Sequence, residues 1–448
     1  MPDNLDTVSR RSFLKRSTAL GAGASAFTII RPQLIRGQGQ ERLRAGLIGC
    51  GGRGTGAVID LLTGTENVEL VAMADVFEDK LTQSLTRLRD PKTATRHAGI
   101  TVDRAGKPVA LTAQDLAASL PPRIRVSPEH QFVGFDAYQK LAASDLDIVM
   151  LCTPPGYRPI HFEAAIEARK HVFTEKPVGT DPVGTRRFMA AARKAEQLKL
   201  TVMSGSQRRS SREYTETVQK IGEGAIGEIL AAFSYYLSGP VFHAKARDPK
   251  WGDMEWQHRN WYSFLWLCGD QIVEQHYHNL DFMNWALGGH PERVVASGGI
   301  AWRTRDELNG NIFDHMSSDF VYPNGLHLTS HCRQYPRGVY SNVSDLLVGT
   351  KGRSNGTDLG TKGINGQVQE HTDMVKSIRG AGPYINQGLA VAESTMTAIM
   401  GRESAYSGQQ ISWEQIMASQ QDLMPKAFGY DLKMEAPPLP VPGQYKFV

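Results

Sequence analysis

The stretch Leu43-Arg44-Ala45-Gly46-Leu47-Ile48-Gly49-Cys50-Gly51-Gly52-Arg53-Gly54 decides the fold. A short apolar run enters glycines spaced G-x-G-x-x-G, and a helix-forming stretch follows from about Thr55 to Thr63. A second apolar run, Val68–Ala74, then closes on Asp75, about 20 residues beyond Gly54. The glycine spacing alone is weak. The strand before it, the helix after it and the acid ending the next strand make it a dinucleotide fingerprint. Gly49 permits the tight turn, Gly51 lets backbone approach a pyrophosphate, and Gly54 lets helix pack on strand. Gly52 and Arg53 complete the turn, whose N–H groups at the helix start hold phosphates. Asp75 would accept hydrogen bonds from the adenosine ribose and repel a 2′-phosphate, which favours NAD. Arg53, near a phosphate, blurs that preference and leaves NADP open.

Outward from this unit the pattern repeats. Helix Glu78–Arg89 is followed by strand Asp147–Cys152, helix Tyr157–Arg169, strand His171–Phe173, helix Pro182–Leu198 and strand Thr201–Ser204. Strands apolar throughout, alternating with helices, argue a doubly wound parallel sheet. Asp90–His130 shows no period and reads as a long loop or insertion. Beyond Gln207 the pattern changes. Ile229–Tyr236, Arg293–Gly298, Ser317–Tyr322, Leu326–His331 and Ser344–Val348 read as strands, several with period two. Helices are expected near Arg212–Ile221, Ile272–Leu287 and Gln387–Met400, and Gly349–Gly366 reads as a loop. The expected fold is α/β: a Rossmann doubly wound parallel sheet plus a C-terminal α/β domain with a large, mostly antiparallel open sheet. The expected divisions are a signal and linker over 1–40, a cofactor domain over 43–205, a substrate domain over 206–430, and a Pro-rich tail over 431–448.

The 448 residues are 41% hydrophobic and 21% charged, which excludes disordered, collagen-like and coiled-coil classes. The formal charge is +4. Residues 1–36 hold Arg10, Arg11, Lys15, Arg16, Arg31 and Arg36 against Asp3 and Asp6, so the excess sits there and residues 37–448 balance. No basic face is left for nucleic acid. Ser9-Arg10-Arg11-Ser12-Phe13-Leu14-Lys15, followed by an uncharged run to Ile30, resembles a twin-arginine (Tat) export signal. It implies the Tat machinery as a partner, periplasmic delivery, and no stable membrane span after maturation. Cys50, Cys152, Cys268 and Cys332 lack the spacing of a disulfide framework or a zinc site, and no metal is expected.

Cys152-Thr153-Pro154-Pro155, His161, Ala164-Ala165 and Lys170-His171-Val172, running into Glu175-Lys176-Pro177, resemble the Gfo/Idh/MocA oxidoreductases. That resemblance implies hydride transfer on a sugar or polyol, and a homodimer or homotetramer built on the open sheet. It places Thr153, Pro154, Glu175 and Lys176 at the cofactor and matches Lys176 to the family's catalytic lysine. From its own chemistry, Lys176 at a strand's carboxyl edge could donate to a substrate hydroxyl or be a solvated surface lysine.

Glu274, His278, Asp281 and Trp285 fall on one face of the expected helix. Alcohol oxidation needs a base, a task that suits His278, with Glu274 one turn away to orient it. The segment is similar to the family's Asp-x-x-x-His motif, with Glu274 in the aspartate position. Asp281 and Trp285 read as capping and packing residues. His276 and His278 point to different sides of a helix, a poor pair of metal ligands. Trp251, Trp256, Trp261 and Trp266, with Arg259 and Asn260 among them, could line a carbohydrate pocket or form core. Tyr157, Arg208, Arg259, Asn260, Trp261 and His276 are the candidate substrate contacts. The leading expectation is an exported oxidoreductase with a tightly held, recycled cofactor. An NAD-dependent glycoside-cleaving enzyme and a non-catalytic carbohydrate-binding or scaffold protein are the alternatives.

Overall fold

A computed structural model describes residues 42–104, 107–241, 246–304 and 307–448; the expected export signal lies outside them. The chain enters at β1 (Leu43–Ile48), turns through the glycines into α1 (Gly52–Gly64) and returns as β2 (Val68–Asp75). After α2 (Glu78–Arg89) comes the stretch expected to be irregular, and it is folded. It holds a helical turn at Pro91–Ala94, an antiparallel pair of β3 (Thr101–Arg104) and β4 (Lys107–Ala110) and a helix at Ala113–Ser119, and it leads into strand β5 (Gln131–Val133). Periodicity missed it because its elements are short. A capping box at Thr112 and Asp115 starts the helix, and buried Val102, Leu116 and Leu120 anchor the stretch to the core.

The first domain continues through α3 (Ala137–Ala143), β6 (Ile148–Leu151), α4 (Arg158–Glu167), β7 (His171–Thr174), α5 (Pro182–Gln197) and β8 (Val202–Ser204). Six strands pair in parallel in the order β5-β2-β1-β6-β7-β8. Alternate residues serve opposite faces. Ala45, Leu47, Leu70 and Met150 pack with α1 and α2, whereas Ile48, Ala72, Val149 and Leu151 pack with α4 and α5. Both faces are buried, which is why these strands read as continuous apolar runs. The order reverses between β1 and β6, so the carboxyl ends there open a crevice suited to a ligand.

The second domain carries α6 (Arg212–Gly222), β9 (Ile229–Ser238) and α7 (Asp253–Arg259), then α8 (Gln271–Glu274) and α9 (Tyr277–Leu287). Strands β10 (Arg293–Gly299), β11 (His315–Val321), β12 (His327–Gln334), β13 (Asn342–Gly349) and β14 (Gly352–Ser354) precede α10 (Gly366–Ile378), α11 (Gly388–Ser407) and β15 (Ile411–Ser412). The sheet order is β14-β13-β9-β12-β11-β10-β15, antiparallel except for β9 beside β12. Along β12, Leu328, Ser330 and Cys332 are buried while Thr329, His331 and Arg333 are half-exposed on the open face.

Two departures from the sequence reading bear on the site. The helix expected over 272–287 is interrupted at Gln275 and His276, between α8 and α9. Helix α10, not foreseen, leaves the second domain: Val368, Met374 and Val375 join the core beside α1. The chain beyond it then closes the β8 edge, where Val202 N donates to Ile385 O at 3.0 Å and Gln387 N to Val202 O at 2.9 Å. Fully buried Arg402 on α11 donates to Thr180 O and Gly269 O and pairs with Glu403, binding the two domains.

Candidate active site

A cavity of about 550 Å³ lies at the carboxyl edge of the parallel sheet and is roofed by the second domain. Its first end is backbone. A Cβ on Gly51 or Gly52 would meet no atom within 4 Å, so these residues open onto the cavity, and no side chain caps the N-terminus of α1. The first N–H groups of that helix are therefore available to an anion. Gly49 and Gly54 act differently. Gly49 sits at φ +95°, and a Cβ on Gly54 would lie 1.9 Å from Gly49 O. Asp75 accepts from Cys50 N at 2.6 Å and Phe77 N at 2.9 Å, and burial raises its pKa. These features fit an NAD-type dinucleotide.

Beyond Asp75 the wall is aromatic. Phe135 stacks on Phe428 at 5.7 Å, and Tyr430 donates its hydroxyl to Val76 O, so the C-terminal segment braces this end. Arg259 lies here too, 4.0 Å over the Phe77 ring and paired with Asp79 and Glu255. Expected to touch substrate, it stands instead at the Asp75 end because α7 delivers it beside α2.

The opposite end is side chain. Lys176, following β7, donates Nζ to Glu274 O at 2.6 Å and Glu274 Oε1 at 3.3 Å. An ammonium has three donors, so one remains for a ligand. Glu274 Oε2 accepts from Gln275 Nε2 at 2.6 Å, and Gln275 Oε1 accepts from the Tyr236 hydroxyl at 2.7 Å. The expected Glu274–His278 pair is absent: the break at Gln275–His276 turns the carboxylate toward Lys176. His278 lines the cavity with neither ring nitrogen bonded to a described residue. Burial, then the charges of Lys176 and Arg208, hold its pKa well below the usual imidazole value, so it is a neutral base.

Several expected contacts prove structural. His276 is fully buried and bonds Ser330 Oγ at 2.6 Å, away from the cavity. Arg208 is held by Asp345 at 2.7 Å and by His278 O at 3.1 Å, where it fixes α9 rather than substrate. Arg209 grips Asp281 and covers Trp285; Trp285 is packed as expected, whereas Asp281 lies inside α9 and forms an ion pair rather than a cap. Arg53 lines the cavity beside the glycine turn, as expected, with its guanidinium paired to Asp60 at 2.6 Å and Glu175 at 2.8 Å. Burial opposes the Asp60 charge, but His97 and Arg53 hold its pKa at about 2.

Tyr157 lines the cavity, yet its hydroxyl is spent on His258 Nε2 at 2.6 Å, since His258 Nδ1 is committed to Met254 O. Asn260 and Trp261 do line the cavity, whereas Trp256 and Trp266 are core. Thr153 and Pro154 line it as well, with Thr153 Oγ1 3.2 Å from His161 Nδ1. Arg158, Gln367 and Glu370 also line the cavity and were not foreseen. Arg158 sits one residue beyond Tyr157 in a recognised segment; for Gln367 and Glu370 the sequence carries no local signal. All four cysteines are unpaired, and among the described residues no group of three metal-ligating side chains converges.

The fold and this cavity define a dinucleotide-binding Rossmann domain joined to an open-sheet α/β domain. Residues 43–204 match the Gfo/Idh/MocA family, described as an oxidoreductase family with an NAD-binding Rossmann fold. The chain is 25% identical over 159 residues to the inositol 2-dehydrogenase of Rhizobium meliloti, covering 36% of this chain and 42% of that protein. It is 27% identical over 241 residues to a glycosyl hydrolase family 109 protein of Streptomyces niveus, covering 50% of this chain and 38% of that protein. The chain thus spans about half the length, or less, of these relatives. In fold it is similar to the scyllo-inositol dehydrogenase of Lactobacillus casei solved with NAD(H) and scyllo-inositol, with a TM-score of 0.59, 16% identity, and coverage of 83% of this chain and 99% of that one.

Proposed function

We propose that this chain is an exported NAD(P)-dependent oxidoreductase acting on a hydroxyl-bearing carbon of a sugar, polyol or glycoside. The observation that carries the reading is the pairing of an unbonded, neutral His278 with a Lys176 that keeps a donor in reserve, both on the cavity that contains the glycine turn. Gly51, Gly52 and Asp75 would hold the dinucleotide, with Thr153, Pro154 and Glu175 toward its other half. When bound, that group supplies the hydride acceptor. His278 takes the hydroxyl proton, and Lys176 Nζ holds the hydroxyl oxygen in place for that transfer. Glu274 positions Lys176, and Tyr236 and Gln275 position Glu274. Asn260 and Trp261 present a polar and an aromatic surface suited to a ring with hydroxyl groups.

The cofactor is retained between turnovers. The bracing of Phe77 and Phe135 by Arg259, Phe428 and Tyr430 supports this, and the twin-arginine run adds reason for it, since an exported enzyme must carry its cofactor. The test is to purify the full chain without added nucleotide and offer a panel of sugars and polyols. A rise in the absorbance of reduced nicotinamide supports the reading and names the substrate class; nucleotide-free protein that binds NAD only weakly overturns retention. Replacing Arg10 and Arg11 by Lys tests export, which should stop.

The similarity to a family 109 glycosyl hydrolase favours a second reading from the same residues, glycoside cleavage through transient oxidation. Release of an aglycone with no net change in bound nicotinamide would select it.

A further inference from the structure

Glu370, on the second turn of α10, is a buried group that the chemistry above leaves unused. It is 1% exposed and lines the cavity, yet its Oε2 has no hydrogen-bond partner and no described cation pairs with it. Buried carboxyl groups are almost always satisfied, so one aimed into a ligand cavity without a partner calls for a ligand that satisfies it. Its surroundings say which. The charged groups acting on it are Glu175 from the turn after β7, Arg53 and Asp60 from α1, and Asp373 on its own helix. Arg53 is already shared between Asp60 and Glu175, so no unmatched cation faces Glu370.

In this fold the adenosine ribose lies at Asp75 and the pyrophosphate at the start of α1. The remaining half of the dinucleotide lies toward the ends of β6 and β7, where Glu175 stands. We propose that Glu370 is a binding residue for the nicotinamide–ribose half of the dinucleotide. Burial and the neighbouring Glu175 charge push its pKa well above the usual carboxylate value, which favours its acid form. In that form it offers both an O–H donor and a carbonyl acceptor, the complement of a carboxamide or a ribose hydroxyl, and adds no second charge beside Glu175.

This inference rests on the reading that the cavity takes NAD, and the experiment separates the two. Calorimetric titration of the full chain with NAD and with ADP, which lacks the nicotinamide–ribose half, is done from neutral to alkaline pH. Glu370→Ala should weaken NAD about tenfold while leaving ADP within about twofold. Glu370→Gln keeps a donor and an acceptor, so NAD affinity should hold within about threefold and should no longer fall at alkaline pH as it does in the parent. Loss of NAD and ADP alike, no loss of NAD in Glu370→Ala, or a pH profile unchanged in Glu370→Gln would overturn the proposal. Should Glu370→Ala fail to fold, the pH comparison with Glu370→Gln decides alone. A parent chain that binds neither nucleotide removes the NAD reading itself.

Discussion

The two ends of the cavity are made of different material. At the glycine-turn end the cavity presents backbone: the open N–H groups of α1, the bare Cα atoms of Gly51 and Gly52, and one carboxyl group at a strand end. At the other end it presents side chains from widely separated segments. Lys176 follows β7, Glu274 ends α8, His278 is on α9 and Glu370 is on α10. Backbone recognition needs a local arrangement of a few residues. Side-chain recognition needs the whole molecule to be folded around it.

If the ends are functionally separate, damage at one should leave the other intact. The largest effect is expected at the side-chain end. Lys176→Met or His278→Ala should lower kcat by about 10²–10⁴-fold, the usual worth of a positioned acid or base, with NAD affinity within about threefold of the parent. Parallel loss of NAD binding, measured by titration, would break the division. Glu274→Gln should cost less, because the amide oxygen and the backbone carbonyl of residue 274 still accept from Lys176.

At the backbone end two glycines should separate from each other. Gly54→Ala places a methyl against Gly49 O and should destabilise the fold by about 1–3 kcal/mol, read as a lower Tm. Gly51→Ala meets open space, so Tm should hold while NAD affinity falls. The reverse pattern would show that Gly51 has no ligand to meet. Asp75→Asn should follow, with about a tenfold loss of NAD affinity and a narrowed preference over NADP, both read by titration.

The same contrast explains what could be read from the chain in advance. The glycine turn, its flanking strand and helix, and Asp75 fall within a single stretch of sequence, and the structure places them as read. Lys176 and His278 were legible as individual residues, but the Glu274 partner of Lys176 was not. A helix drawn straight through 272–287 puts Glu274 beside His278; the break at Gln275–His276 puts it on Lys176 instead. The buried ion pairs of Arg208 and Arg209 were hidden for the same reason, since Asp345 and Asp281 lie far along the chain. Glu370 was invisible because α10 follows a strand of the second domain yet packs against α1, and no local pattern announces a return across a domain boundary.

The smallest expected effect tests whether the side-chain end is as dry as its geometry requires. An imidazole with the ordinary pKa near 6.5 would lose about fourfold of its neutral form between pH 7.5 and pH 6. The His278 pKa lies well below that value because burial, Lys176 and Arg208 all disfavour the charged ring. A depressed pKa means the base stays neutral as pH falls, so kcat/KM should drop less than about 1.5-fold over this interval. Its acid limb should appear only at lower pH. The matching signature is the His278 ring resonance, which should not titrate near pH 6.5 in the parent. It should move upward in Lys176→Met, where one of the opposing charges is gone. A limb at the ordinary value in both proteins would mean that water reaches the ring freely. The side-chain end would then owe nothing to enclosure.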